Sequence, residues 1–105
     1  MKASELAERI AANSAPTVID ARSRMEFNHG HIPGAIHAPV LKILLKRVRL
    51  PEDEKAELVI TCEHGPRAMM AKRCLAAYGY RNATLLTGHM LGWRRAGLPL
   101  VEGAR

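Results

Sequence analysis

Short apolar runs alternate with helix-like segments along this chain, and this alternation limits the folds that it can adopt. The apolar runs cover residues 17–20, 35–37, 58–61 and 83–86. Strands that are joined through helices run parallel to one another, and a parallel sheet needs helices on both of its faces. The sequence therefore predicts an α/β fold with a central parallel sheet and helices on both faces.

Five helical segments are predicted from apolar residues that recur every three or four positions. Ser4 is expected to cap the first helix, and Gly79 and Gly97 are expected to end the last two. The apolar side chains expected on the buried faces of these helices are, in chain order, Leu6, Ile10, Met25, Phe27, Leu41, Leu44, Leu45, Val48, Met70, Cys74, Leu75, Tyr78, Leu91 and Trp93.

Length and composition indicate one domain that spans residues 1–105. The chain is 48% hydrophobic and 25% charged, which is sufficient for a single core. No apolar run approaches the roughly 20 residues of a membrane span, and the first residues lack the apolar core of a signal peptide. The chain is therefore expected to be cytoplasmic and to make no membrane contact.

The two cysteines are expected to be free thiols. Cys62 precedes a predicted helix and Cys74 lies within it, roughly 10 Å farther along at ~1.5 Å per residue. That separation is too long for a direct disulfide. Cys74 shares an apolar stripe with Met70 and Tyr78, so it is interpreted as a core residue rather than as a second reactive thiol.

The chain is basic, with a formal net charge of +6 at pH 7. A basic surface can attract nucleic acid or small anions. No nucleic-acid motif and no interleaved aromatic residues accompany the charge, so a solvated basic face that attracts small anions is preferred over nucleic-acid binding. Much of the charge falls in three clusters, which are Lys42, Lys46, Arg47 and Arg49; Lys72 and Arg73; and Arg94 and Arg95.

The segment 62–67, Cys-Glu-His-Gly-Pro-Arg, is predicted to carry the chemistry. It joins the end of a predicted strand to the start of a predicted helix, where backbone N–H groups and the helix dipole favour an anion. A cysteine in that position should be held as a reactive thiolate. The first hypothesis is sulfur chemistry on Cys62, in an anion-binding loop formed by Glu63, His64, Gly65, Pro66 and Arg67.

Three stretches, in the expected order, resemble the rhodanese (sulfurtransferase) family over nearly the whole chain. Cys62-x-x-Gly65-x-Arg67 resembles the active-site loop of that family. The stretch from residue 87 to residue 99 resembles the C-terminal signature, and its matching residues are Thr87-Gly88-His89, Trp93, Ala96-Gly97 and Pro99. The N-terminal signature is resembled by Val18-Ile19-Asp20-Ala21-Arg22, followed by Glu26-Phe27 and Gly30-His31-Ile32-Pro33-Gly34-Ala35.

This resemblance implies a rhodanese-like fold and a two-step sulfur transfer that needs no metal or cofactor. Cys62 would accept a sulfane sulfur from a donor such as thiosulfate or a persulfide. The resulting Cys62 persulfide would pass that sulfur to a thiol, a protein acceptor or cyanide. The histidines match no zinc-binding spacing. Four polar residues of the N-terminal signature are interpreted as structural support for the loops, and they are Asp20, Arg22, Glu26 and His31.

The chain departs from the family pattern at three places. A second glycine is often present where this chain has His89, and a hydroxyl residue often follows the loop arginine, where this chain has Ala68. Only three residues precede the start of the chain's first helical pattern, so the first edge strand of the family must be short or missing.

Glu63 bears on the choice of sulfur donor. Its carboxylate should repel dianionic thiosulfate, and Pro66 removes one N–H from the loop. We therefore expect modest turnover with thiosulfate and a better reaction with a neutral or protein-bound persulfide.

Two other functions stay open. A persulfide carrier that turns over little by itself would dock a partner on the basic segment from Lys42 to Arg49. A phosphatase or arsenate reductase ranks lower, because related enzymes place five residues between cysteine and arginine, whereas this loop has four.

Overall fold

The sheet contains four parallel strands in the order β2-β1-β3-β4, in this computed structural model, which describes residues 1–103. The strands are β1 (Thr17–Asp20), β2 (Ile36–His37), β3 (Leu58–Thr61) and β4 (Ala83–Leu85). Asp20 at the end of β1 lies beside Thr61 at the end of β3. The carboxyl ends of the two central strands therefore meet at one edge of the sheet, and Cys62 follows at that edge.

Helices cover both faces of the sheet. They are α1 (Ala3–Ala11), α2 (Arg24–His29), α3 (Val40–Leu44), α4 (Pro66–Ala77) and α5 (His89–Arg95). α3 and α4 pack on one face, and α1, α2 and α5 pack on the other. The predicted α/β architecture is confirmed. The predicted domain extends to Arg105, which lies outside the described residues.

Alternate residues of β1 and β3 enter two separate cores, one on each face of the sheet. Ile19 and Ile60 pack with Leu75 in the core under α3 and α4. The other core contains Leu6, Val18, Phe27, Val59, Met90 and Trp93. All four residues of β3 are buried, so both cores fix the position at which this strand delivers Cys62.

The first edge strand is reduced to the backbone of one residue. The Met1 amino group donates to the Leu85 carbonyl at 3.0 Å, and the Thr87 N–H donates to the Met1 carbonyl at 2.8 Å. α1 begins two residues later, at Ala3. The prediction of a short or missing edge strand is therefore confirmed for the described residues.

The predicted helix cap at Ser4 is wrong. Lys2 occupies the N-cap position of α1, and the Leu6 N–H donates to the Lys2 carbonyl. Because Met1 is bound beside β4, the chain turns into the helix at once, and Ser4 falls inside the first turn. None of the described helices is both long enough and apolar enough to cross a membrane.

The buried faces of four helices, α2, α3, α4 and α5, differ from the prediction. α4 brings the small residues Ala68 and Ala71 against the sheet together with Leu75. α3 stops after five residues, before Lys46 adopts a positive φ of 55°, and its buried residue is Ile43. The side chains predicted to be buried but found exposed are Met25, Leu41, Leu44, Leu45, Met70 and Leu91.

Leu75→Ala should lower the free energy of unfolding by about 2–5 kcal/mol, because it leaves a cavity in a packed core. Leu44→Ala is the matched control, since the Leu44 side chain is 51% exposed. We expect this control to change the free energy of unfolding by less than about 1 kcal/mol. Urea denaturation measures both values, and equal losses would contradict the assignment of the core.

Candidate active site

Cys62 lies one residue beyond β3, at the edge where the carboxyl ends of the strands meet. The neighbouring strand is held in register there by the Ala21 N–H, which donates to the Thr61 carbonyl at 2.8 Å. Cys62 is a free thiol with only 1% of its surface exposed, and it packs with Ala21 and Ala68. The site therefore places a buried thiol at the end of a buried strand.

The Gly65 N–H donates a hydrogen bond to Cys62 Sγ at 2.9 Å. Gly65 can direct its N–H there because it adopts a φ of 134°, which a residue with a Cβ rarely adopts. α4 begins at the next residue, Pro66, whose missing N–H is tolerated at the first position of a helix. Both the Gly65 amide and the positive end of α4 thus favour negative charge on the sulfur.

The Cys62 N–H donates to Nδ1 of His89 at 3.3 Å. The start of α5 also holds the loop, because the Met90 N–H donates to the Cys62 carbonyl and the Leu91 N–H to the Glu63 carbonyl. Burial, followed by the nearby His64 charge, lowers the pKa of His89. His89 is therefore favoured as a neutral ring, the form that can accept this hydrogen bond.

Arg67 braces the loop against α2. Its guanidinium donates to both carboxylate oxygens of Glu26, at 2.6 and 3.0 Å. Glu26 also completes a capping box with Ser23 at the start of α2. The Arg67 hydrogen bonds lower the pKa of Glu26 to about 2, with desolvation opposing this effect and the Ser23 hydrogen bonds adding to it. Arg67 is thus tied to a carboxylate across the site.

Glu63 is paired with arginines rather than free to repel anions. It forms a bidentate ion pair with Arg94 of α5, and Arg22 Nη1 lies 3.7 Å from its Oε1. The Arg94 hydrogen bonds, opposed by desolvation and aided by the charges of Arg94 and Arg22, lower the pKa of Glu63. The charge of Glu63 is therefore largely compensated by its neighbours.

Asp20 and Arg22 form a buried pair at the end of β1. Arg22 Nη2 donates to Asp20 Oδ2 at 2.9 Å and to the Gly30 carbonyl at 2.7 Å. His31 lies farther from the cysteine loop, stacked on Phe27 with its Nδ1 2.8 Å from the Phe27 carbonyl oxygen. The structure thus brings Asp20, Arg22 and Glu26 to the loop, whereas His31 packs in the supporting core.

A cleft of about 300 Å³ lies beside the loop. Its lining includes the guanidinium groups of Arg22 and Arg94 and the carboxylates of Glu26 and Glu63. Each of these charged groups has an oppositely charged partner, so the cleft is polar without carrying a large net charge. No cluster of three or more potential metal-binding side chains occurs among residues 1–103.

Two residues of the site were not predicted from the sequence, namely His89 and Arg94. His89 follows Gly88, which starts α5 in a left-handed conformation, and this turn brings the ring to the loop. Its departure from the glycine of the family pattern was the available signal. Arg94 carried no such signal, because its role depends on the position of α5 beside Glu63.

Relatives of this chain include a sulfurtransferase from Allochromatium vinosum, with 32% identity over 91% of this chain and 88% of that protein. An HTH-type transcriptional regulator from Mycobacterium tuberculosis is 37% identical over 84% of this chain, but the match spans only 38% of the regulator. The same kind of domain therefore occurs both as most of a protein and as a part of a longer one.

The solved structure of a rhodanese-related protein from Thermoplasma volcanium is similar throughout. The comparison covers 98% of this chain and 97% of that chain, with 28% sequence identity and a TM-score of 0.80. A family model of the rhodanese-like domain matches residues 2–96. The resemblance noted in the sequence is thereby confirmed, and this chain belongs to the rhodanese-like domain family.

Proposed function

We propose that this chain is a sulfurtransferase and that Cys62 is its nucleophile and sulfur carrier. The observation that carries the proposal is the hydrogen bond from the Gly65 N–H to Cys62 Sγ, at the junction of a strand and a helix. A thiolate is the form that attacks sulfur, and the same amide can stabilise either a thiolate or a persulfide anion. The sulfurtransferase from Allochromatium vinosum, which this chain resembles over most of its length, supports the assignment.

In the first step, the Cys62 thiolate attacks the outer sulfur of a donor. With thiosulfate, a bond forms between Cys62 Sγ and that sulfur, and the sulfur–sulfur bond of thiosulfate breaks. The products are the Cys62 persulfide anion and sulfite, which keeps the electron pair of the broken bond. Attack on a persulfide donor follows the same course and releases the donor's thiolate.

In the second step, the acceptor attacks the outer sulfur of the Cys62 persulfide. Cyanide yields thiocyanate and restores the Cys62 thiolate, whereas a thiolate acceptor yields a new persulfide. Cys62 is almost fully buried, so the loop has to open for donor and acceptor to reach Sγ. Arg67 contributes by bracing the loop on Glu26.

The charge balance of the cleft favours a persulfide donor over thiosulfate. Arg22, Arg67 and Arg94 are each bound to a carboxylate, on Asp20, Glu26 and Glu63 respectively. A dianion therefore meets guanidinium groups that are already neutralised, and its electrostatic attraction is small. A small or protein-bound persulfide carries less charge, so its binding depends less on attraction to free guanidinium groups. A nucleophilic free thiol also suits the reducing conditions of the cytoplasm.

The surface around α3 favours a persulfide carrier as the second candidate function. Leu41, Leu44 and Leu45 are exposed there, beside the basic residues Lys42 and Lys46. A cleft of about 440 Å³ adjoins this surface, and its lining includes Lys46, Arg49, Tyr78 and Tyr80. This combination of apolar and positively charged groups fits an acidic protein that delivers or receives the sulfur.

Cys62→Ser should abolish thiocyanate formation from thiosulfate and cyanide, with a loss of at least about a thousandfold in kcat/KM, because serine cannot form the persulfide. Cys74→Ser is the matched control, since Cys74 is half-buried in α4 and does not contact the loop. We expect the control to retain the activity of the unaltered chain.

The same assay separates the two candidate functions. Repeated turnover of thiosulfate or a small persulfide by the isolated chain identifies an enzyme. Loading of one sulfur per chain, with turnover only after a partner is added, identifies a carrier. Activity that survives in Cys62→Ser would contradict both.

Glu63→Gln should raise kcat/KM for thiosulfate about two- to tenfold at low salt, because it frees Arg94 and part of Arg22 to attract the dianion. The gain should shrink as salt screens these charges. Glu57→Gln makes the same charge change next to β3, but at its opposite end, where Glu57 pairs with Arg9. Comparable rates for these two variants would refute the proposed effect of the Glu63 pairing on donor choice.

A further inference from the structure

His89 is held in a strained backbone conformation next to the cysteine loop. Its φ is 50°, a positive value that few residues other than glycine adopt, although histidine adopts it more often than most. Its side chain is nevertheless mostly buried, at 9% exposure. Strain of this kind persists only where surrounding contacts hold it, and such residues cluster at functional sites.

The His89 ring is hydrogen-bonded to one end of the segment from Cys62 to Gly65 and lies near the other end. Nδ1 accepts the Cys62 N–H at 3.3 Å, and Nε2 lies 3.5 Å from the position that a Cβ would take on Gly65. Gly65 is the residue whose N–H binds Cys62 Sγ. The ring therefore fixes the amide of Cys62 and supports the amide that stabilises its sulfur.

This arrangement depends on the ionisation of His89. A neutral imidazole that accepts at Nδ1 carries its proton on Nε2, whereas a protonated ring is a donor at both nitrogens. Protonation would therefore place two donors, Nδ1–H and the Cys62 N–H, against each other. A buried N–H without an acceptor is costly, so the loop would rearrange.

We propose that neutral His89 is a positioning residue that holds the Cys62 loop in the conformation that accepts sulfur. Protonation of His89 frees the loop from that conformation. The effect on sulfur transfer rests on the proposed function, but the effect on loop conformation does not. Burial, followed by the charge of nearby His64, lowers the pKa of His89 below that of a free imidazole, so this transition falls on the acidic side of neutrality.

The effects of other charged groups on the neighbouring segments have to be distinguished from the effect of His89. Glu63 and Arg94 are bound to each other, and Arg67 is bound to Glu26. His64 is a second histidine on this loop, and its side chain is exposed. A His64→Gln background therefore isolates the titration of His89. The charged or titratable groups on the loop, residues 62–67, and elsewhere on α5 are Cys62, Glu63, His64, Arg67, Arg94 and Arg95.

Three substitutions distinguish the effect of the hydrogen-bond acceptor atom from the effects of side-chain volume and backbone strain. His89→Asn places a carbonyl oxygen at the δ position of the side chain, tolerates positive φ and does not titrate. His89→Gly relieves the strain but provides no acceptor. His89→Gln preserves more of the side-chain volume but moves its polar atoms to the ε position. The thermal midpoint of each variant shows whether it folds.

Two measurements read the loop and the reaction separately. NMR spectra of ¹⁵N-labelled protein follow the amide signals of Cys62 and Gly65 from about pH 7.5 to about pH 5, a range in which a histidine titrates. Mass spectrometry follows the rate at which Cys62 gains sulfur from thiosulfate or a small persulfide. Acidification can slow loading for reasons unrelated to His89, so the rate relative to His89→Asn is compared at each pH.

In the His64→Gln background, we expect both amide signals to follow the ionisation of His89 and to lose that transition when His89→Asn is introduced. At neutral pH, His89→Asn should load sulfur at a rate near that of the unaltered chain. His89→Gly and His89→Gln should each be slower by about tenfold, because the Cys62 N–H lacks its acceptor. On acidification, the unaltered chain should lose more of its rate than His89→Asn does.

Amide signals that do not change with the ionisation of His89 would overturn the inference. It would also be overturned if His89→Gln or His89→Gly gained sulfur as fast as His89→Asn. If no variant gains sulfur, including the unaltered chain, while the amides still follow His89, then the proposed function fails and the control of the loop by His89 is supported.

Discussion

One hydrogen bond, from the Gly65 N–H to Cys62 Sγ, links the fold to the proposed chemistry. β3 is buried on both faces and fixes where Cys62 leaves the sheet, while α4 begins immediately after Gly65. The two cores that hold β3 and α4 therefore also set the distance between the amide and the sulfur. In this fold, stability and reactivity are coupled through the placement of a strand end and a helix start.

Paired charges stabilise the surroundings of the sulfur without creating a strong anion trap. The guanidinium groups of Arg22, Arg67 and Arg94 are bound to carboxylates from three parts of the chain. The Arg67 and Arg94 pairs are partly exposed and contribute little free energy each, whereas the Arg22 pair is buried. Bidentate geometry gives the pairs directional precision. Their main consequence is to tie α2, the loop and α5 together around the cleft, which restricts how the loop can open.

Local patterns predicted the strands, the parallel sheet and the position of Cys62, because these depend on short apolar runs and on residues next to one another in sequence. Burial within the helices was harder to predict. More than one face of a helix carried apolar residues at helical spacing. α4 turns small residues such as Ala68 toward the sheet, where Met70 was expected. The pairing of Glu63 with Arg94 and the contact of His89 with Cys62 join residues that are 31 and 27 positions apart. No local pattern specifies such contacts, since they arise only when α5 packs beside the loop.

The mass of the chain after incubation with a sulfur donor tests the central claim most directly. Thiosulfate and a small persulfide are supplied in separate reactions, and the peptide that has gained mass is then identified. The account predicts a gain of one sulfur atom on the peptide that contains Cys62, and the loss of that sulfur when cyanide is added. No gain with either donor, or a gain confined to Cys74, would contradict it.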